Sequence, residues 1–175
     1  MVLRRLFERH PELRAEADAL VTGLVIDVDA GDIANAIRDA VLALDLDDLG
    51  GRAGRHSGGY TEPTEAAREL LKGATEPFLD DLKRHIELGF EAAAVATCKG
   101  IVRGLSESAG MRSVLDENSD QVLGWAPDFP GEAGGDAIVT LTVESAKQHG
   151  RRWTLPEDCV DAVADWAAMV EKSRR

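Results

Sequence analysis

The residues with the most chemical potential lie in the string DDLGGRAGRHSGGYTEP, Asp47 to Pro63, which gathers five glycines, two arginines and a histidine. Arg52, Arg55, His56 and Tyr60, with the backbone amides of glycines and of a following helix start, are the residue types that hold an anion or a protein partner. A nucleotide-binding loop needs a lysine directly after its second glycine. Gly54 and Gly59 have the required gap, but Tyr60 stands in the lysine position. The dinucleotide fingerprint fails as well, because a helical pattern rather than a strand precedes the glycines. The expectation is therefore a connector, residues 50–60, that caps one helix and turns the chain toward the next, with an anion site as the rival reading.

Other candidates are weaker. His10, His56, His85 and His149 are scattered and make no paired-histidine or Glu-x-x-His pattern, so no metal site is expected. Asp81 and His85 are four apart, the spacing of a surface charge pair on a helix. Cys98 and Cys159 fall on or beside apolar helical stripes, where cysteines behave as small inert hydrophobes. In VLGWAPDFP, Trp125 and Phe129 sit among prolines. Exposed, they would bind a partner; packed inward, they would fasten the loop across helix ends, and inward packing is the expectation. No catalytic residue and no cofactor emerges.

Those candidates must be carried by a chain of 175 residues, enough for one domain, 1–175, with a core that stands without metal or disulfide. An aromatic fraction of 5% within 44% hydrophobic residues points to a core of Ala, Leu, Val and Ile, suited to closely packed helices. The net charge of −12 opposes nucleic-acid binding and favours a basic protein partner. MVLRRLFERHPELRAE lacks the apolar segment of a secretory signal, and no apolar run is long enough to span a bilayer, which leaves the cytoplasm by elimination.

The positioning elements read as helices. Leu13, Ala17, Leu20 and Leu24 recur at helical spacing from Pro11 onward, while LVIDV, residues 24–28, also alternates as a strand would. Ile33, Ile37, Val41 and Leu44 form the next stripe, with Asp29 or Asp32 as N-cap. Pro63 opens a third helix, Pro77 predicts a kink or a fresh start near Thr75, and Gly89 predicts a stop. The following helix carries Phe90, Ala94, Cys98, Ile101 and Leu105 near one face. Gly100 and Gly104 within it cost roughly 1 kcal/mol each relative to alanine, which predicts the close approach of another helix. Residues 108–135 read as loop-rich around a short helix from Arg112 to Leu123. IVTLTVES has strand-like β-branched content, but a helix from Glu132 or Asp136 to His149 suits its surroundings. Thr154 and Glu157 form a capping box for the last helix, with Val160, Val163, Ala167 and Val170 as its buried stripe.

The strings GGRAGRHSGGYTEPTEAARELL, EPFLDDLKRHIELGFEAAAVATCKGIVRGL and LGWAPDFP resemble helical segments of bacterial SWIM zinc-finger family proteins and related bacterial proteins, over roughly Asp45 to Pro130. The zinc module of that family, with Cys-x-Cys and Cys-x-His ligands, has no counterpart here, so the resemblance implies an accessory helical module and no metal ligand. The combined expectation is an all-α domain of six to eight helices in antiparallel hairpins, forming a short right-handed α-α superhelix. Its expected role is that of a non-catalytic bacterial adaptor or regulatory module. The alternative is a small helical enzyme or binding protein that holds an anionic ligand at the connector.

Overall fold

Helix formation begins where a side chain replaces missing backbone partners. The Asp29 carboxylate accepts from the amides of Gly31 at 2.6 Å and Asp32 at 3.0 Å, settling which of the two aspartates caps the helix. The computed structural model describes residues 9–13, 16, 28–114, 121–149 and 157–173. Among them are α1 (Ala30–Leu42), α2 (Leu46–Arg52), β1 (Gly54–His56), β2 (Gly59–Thr61), α3 (Pro63–Glu87), α4 (Glu91–Val114), a 3-10 turn (Val122–Trp125), α5 (Phe129–His149) and α6 (Glu157–Ser173). The fold is all-α, with one small antiparallel ladder. The N-terminal helix pattern is described only over 11–13 and 16, and the strand-like 24–28 lies almost wholly outside the described residues.

Helix α4 is the axis of the packing. Most of its surface is covered, and its exposed positions between Ala92 and Gly110 reduce to one stripe through Lys99 and Arg103. α1 lies along it in the same direction: Ala30 and Ile33 meet Gly100, Ala34 and Ile37 meet Gly104, and Arg38 reaches Glu107 at 3.4 Å. A Cβ at Gly104 would sit 2.6 Å from the Ala34 carbonyl oxygen, and one at Gly100 2.6 Å from Ile33 Cβ. The close approach expected from the two glycines is thus present. Cys98, Ile101, Val102 and Leu105 on α4 join Ile37, Leu71, Leu82, Leu123 and Leu141 in one core. Full burial of each large aliphatic side chain contributes about 1.5–3 kcal/mol before the entropy of ordering is subtracted.

α3 runs unbroken for 25 residues, so the fresh start expected near Thr75 does not occur. Pro77 lies on the water-facing side of the helix, and the carbonyl it leaves without a donor is that of the exposed Gly73, which solvent can satisfy. Leu71, Leu82 and Ile86, on the opposite face, bury enough apolar surface to outweigh a proline cost of about 3 kcal/mol. At its end the Phe90 amide reaches the His85 carbonyl at 2.9 Å and the Gly89 amide the Ile86 carbonyl at 3.0 Å, with Gly89 at φ 76°. This paired closure is the expected glycine stop.

Three further expectations change. The helix expected to carry its stripe through Leu44 ends at Leu42, because Asp45 and Asp48 form a reciprocal capping box that starts α2. The segment 108–135 is largely helical where described: α4 extends through Val114 and α5 starts at Phe129, leaving only a 3-10 turn where the short helix was expected to end. In α6, Val170 and Trp166 are buried but Ala167 is exposed. The bulky Trp166 takes the inward position and turns the smaller alanine to water. IVTLTVES is helical, as read, and Leu141 at its centre belongs to the core. The Thr154–Glu157 capping box involves residues outside those described.

Candidate functional site

The connector between α2 and α3 folds as a β-hairpin, which the expectation of a plain helix cap and turn did not foresee. Its register pairs Gly54 with Thr61, Arg55 with Tyr60 and His56 with Gly59. Ser57 and Gly58 form the tip. Gly54 at φ 101° and Gly59 at φ 136° occupy backbone conformations that other residues rarely adopt, which is why this glycine-rich string can reverse so tightly. The base is held by buried Leu49 and half-buried Ala53, which pack on the helical core.

The ladder joins two of the predicted site residues. Arg55 and Tyr60 are directly opposite one another, so their Cβ atoms share one face about 5 Å apart. Both are exposed, Tyr60 at 62%. His56 belongs to β1, opposite Gly59. Arg52 lies in the last turn of α2, exposed, where a cation suits the negative end of the helix dipole. Trp125 and Phe129 separate. Phe129 is 8% exposed and packs inward as expected, whereas Trp125, at the end of the 3-10 turn, remains 48% exposed. Val122 and Leu123 take the buried places in that turn, leaving the tryptophan turned outward.

A second surface was not anticipated from sequence. α3 and α5 run side by side in the same direction: Arg68 pairs with Glu132 near their starts, and Gln148 Nε2 donates to the Glu87 carbonyl at 3.0 Å near their ends. Two hollows follow this seam. The first, about 370 Å³, has Thr75, Leu79, Phe129 and Ala133 at its floor, and the second, about 350 Å³, lies between Lys83, Glu87, Thr140 and Glu144. Sequence periodicity identifies the face of each helix but not which helices become neighbours, so the seam was not legible beforehand.

Two further titratable groups, His85 and Cys98, lie at helix contacts. His85 Nδ1 lies 3.0 Å from the Thr97 hydroxyl, joining α3 to α4. Partial burial pulls its pKa below the ordinary 6.5, opposed by the nearby Asp81 carboxylate. The expected Asp81–His85 surface pair is therefore secondary to an interhelical hydrogen bond. Burial pushes the Cys98 thiol up to about 12, which removes the thiolate a nucleophile requires. Among the described residues no group of three or more His, Cys, Asp or Glu side chains converges as a metal site requires, and no helix is long and apolar enough to cross a membrane. No protein-family model, curated protein or solved structure matches this chain.

Proposed function

We propose that this chain is a non-catalytic protein-interaction module that presents the Arg55–Tyr60 face of its hairpin to a protein partner. The observation that carries the reading is the exposure of Tyr60 directly across a short ladder from Arg55. An aromatic ring left in water contributes little to the core, whereas tyrosine and arginine are enriched among the residues that dominate binding energy. Tyr60 offers an apolar face and a hydroxyl, and Arg55 offers donors for a carbonyl or carboxylate. The surrounding charge of −12 steers partners that are basic overall. The adaptor role implied by the resemblance to SWIM zinc-finger family segments, and work in a bacterial cytoplasm, belong to the same proposal.

The test is affinity purification from the native cell with the unaltered chain and with Arg55→Ala/Tyr60→Ala. A discrete partner retained by the first and lost by the second, at an unchanged melting temperature, supports the reading. A large thermal stabilisation by phosphorylated metabolites that disappears in Arg52→Ala/Arg55→Ala would instead establish an anionic small ligand at the connector.

A further inference from the structure

We infer that the seam between α3 and α5 is a docking groove for a basic amphipathic helix of a partner protein, a second contact surface apart from the hairpin. Its shape is the first reason. The two hollows, about 370 and 350 Å³, follow one another along the same pair of helices, lined on α3 from Glu65 to Gln148's neighbour Glu87. At 1.5 Å per residue that stretch of α3 is about 33 Å long, the length of a helix of roughly 22 residues rather than of a compact metabolite. Each hollow has apolar ground, Leu79 and Phe129 in the first and Ile86 in the second, and Leu79 and Ile86 stand seven residues apart on α3, two turns along one face.

Charge is the second reason. In the first hollow Arg68 donates to Glu132 across the seam through both terminal nitrogens, Nη1 and Nη2. In the second, Lys83 and Lys147 are held by Asp80 at 3.1 Å and Glu144 at 2.6 Å. Glu65, Glu69 and Asp136 line the first hollow and make no side-chain hydrogen bond or ion pair among the described residues, with Lys72 as the remaining cation. Thr75 at the floor already donates to the Leu71 carbonyl at 2.9 Å, so the floor asks for apolar contact and the rim for cations. Lysine and arginine side chains satisfy both demands, since their stems lie on apolar surface while their charged ends reach outward.

The probe is a fluorescein-labelled 22-residue synthetic helix with leucines at every third or fourth position and lysines on its flanks, titrated by fluorescence polarisation at physiological salt. Glu65→Gln/Glu69→Gln/Asp136→Asn should weaken binding at least tenfold. Asp39→Asn/Asp165→Asn/Glu171→Gln changes exposed acids elsewhere by the same total charge and should change binding less than threefold. Equal losses from the two triple variants would reduce the interaction to general attraction and overturn the proposal. So would undiminished binding of a peptide with serines in place of its leucines, or self-association of the chain through this seam in sedimentation. Arg55→Ala/Tyr60→Ala should leave the peptide affinity unchanged. Loss in that variant would move the site to the hairpin.

Discussion

The α1–α4 pair and the α3–α5 pair each run parallel, and they pack in opposite ways. α1 meets α4 through Gly100 and Gly104, so closely that backbone and side-chain atoms of α1 occupy the space where a Cβ would stand. α3 meets α5 through Arg68, Glu132 and a row of long polar side chains, and hollows remain between them. Residue size at the contact decides which seam closes. Small residues let helix surfaces touch and exclude a ligand; long charged residues hold the rims apart over an apolar floor. The first seam is structural, and the second has room for a visitor.

Substitutions in the closed seam should have the largest effects. Gly104→Val places a branched side chain against the Ala34 backbone and should destabilise by about 3 kcal/mol, read as the denaturant midpoint. Gly104→Ala should still lose about 1–2 kcal/mol, even though alanine favours a helix by about 1 kcal/mol, because the 2.6 Å approach is to backbone that cannot swing aside. Gly110→Ala, in the same helix with nothing within 4 Å of the added atom, should instead gain about 0.5–1 kcal/mol. A shared sign for the two alanine variants would remove the distinction between a seam glycine and an open one.

The α3–α4 contact supplies a pH-dependent intermediate case. Because the folded-state pKa of His85 lies below 6.5, the unfolded chain binds its proton more readily. The stabilisation from neutral His85 is therefore fully present above pH 6.5 and is lost as pH falls from there through the folded pKa. Melting temperatures measured between pH 7.5 and 5 should fall less steeply for His85→Gln than for the unaltered chain. The smallest effect belongs to the open seam. Arg68 and Glu132 are both well exposed, so a double-mutant cycle between them should return a coupling below about 1 kcal/mol.

Local rules accounted for much of this architecture. Asp29 as a cap, Gly89 as a stop and the stripe through Cys98, Ile101 and Leu105 follow from residue type and helical spacing, and Gly100 and Gly104 announced a close neighbour by their intrinsic cost. Pro77 starts no new helix because its penalty depends on which face it occupies. The positions of Leu71, Thr75, Leu82 and Ile86 already placed it opposite the apolar face. The hairpin was hidden for a different reason: strands of three residues are too short for alternation to register, and their ladder exists only between the two arms. Its juxtaposition of Arg55 with Tyr60, and the neighbourhood of α3 with α5, arise from chain reversal and tertiary packing. The first lies within one short window, Gly54 to Thr61, but the second is encoded in no single window of sequence.

The proposed meeting of Arg55 and Tyr60 with a protein partner is measured most directly by photo-crosslinking in the native cell. A benzophenone amino acid at position 60 should yield one discrete adduct of defined mass. The same probe at Asn35, exposed on the outer side of the closed α1 seam, should yield none. A common set of diffuse adducts from both positions, or no protein adduct from position 60, would contradict it.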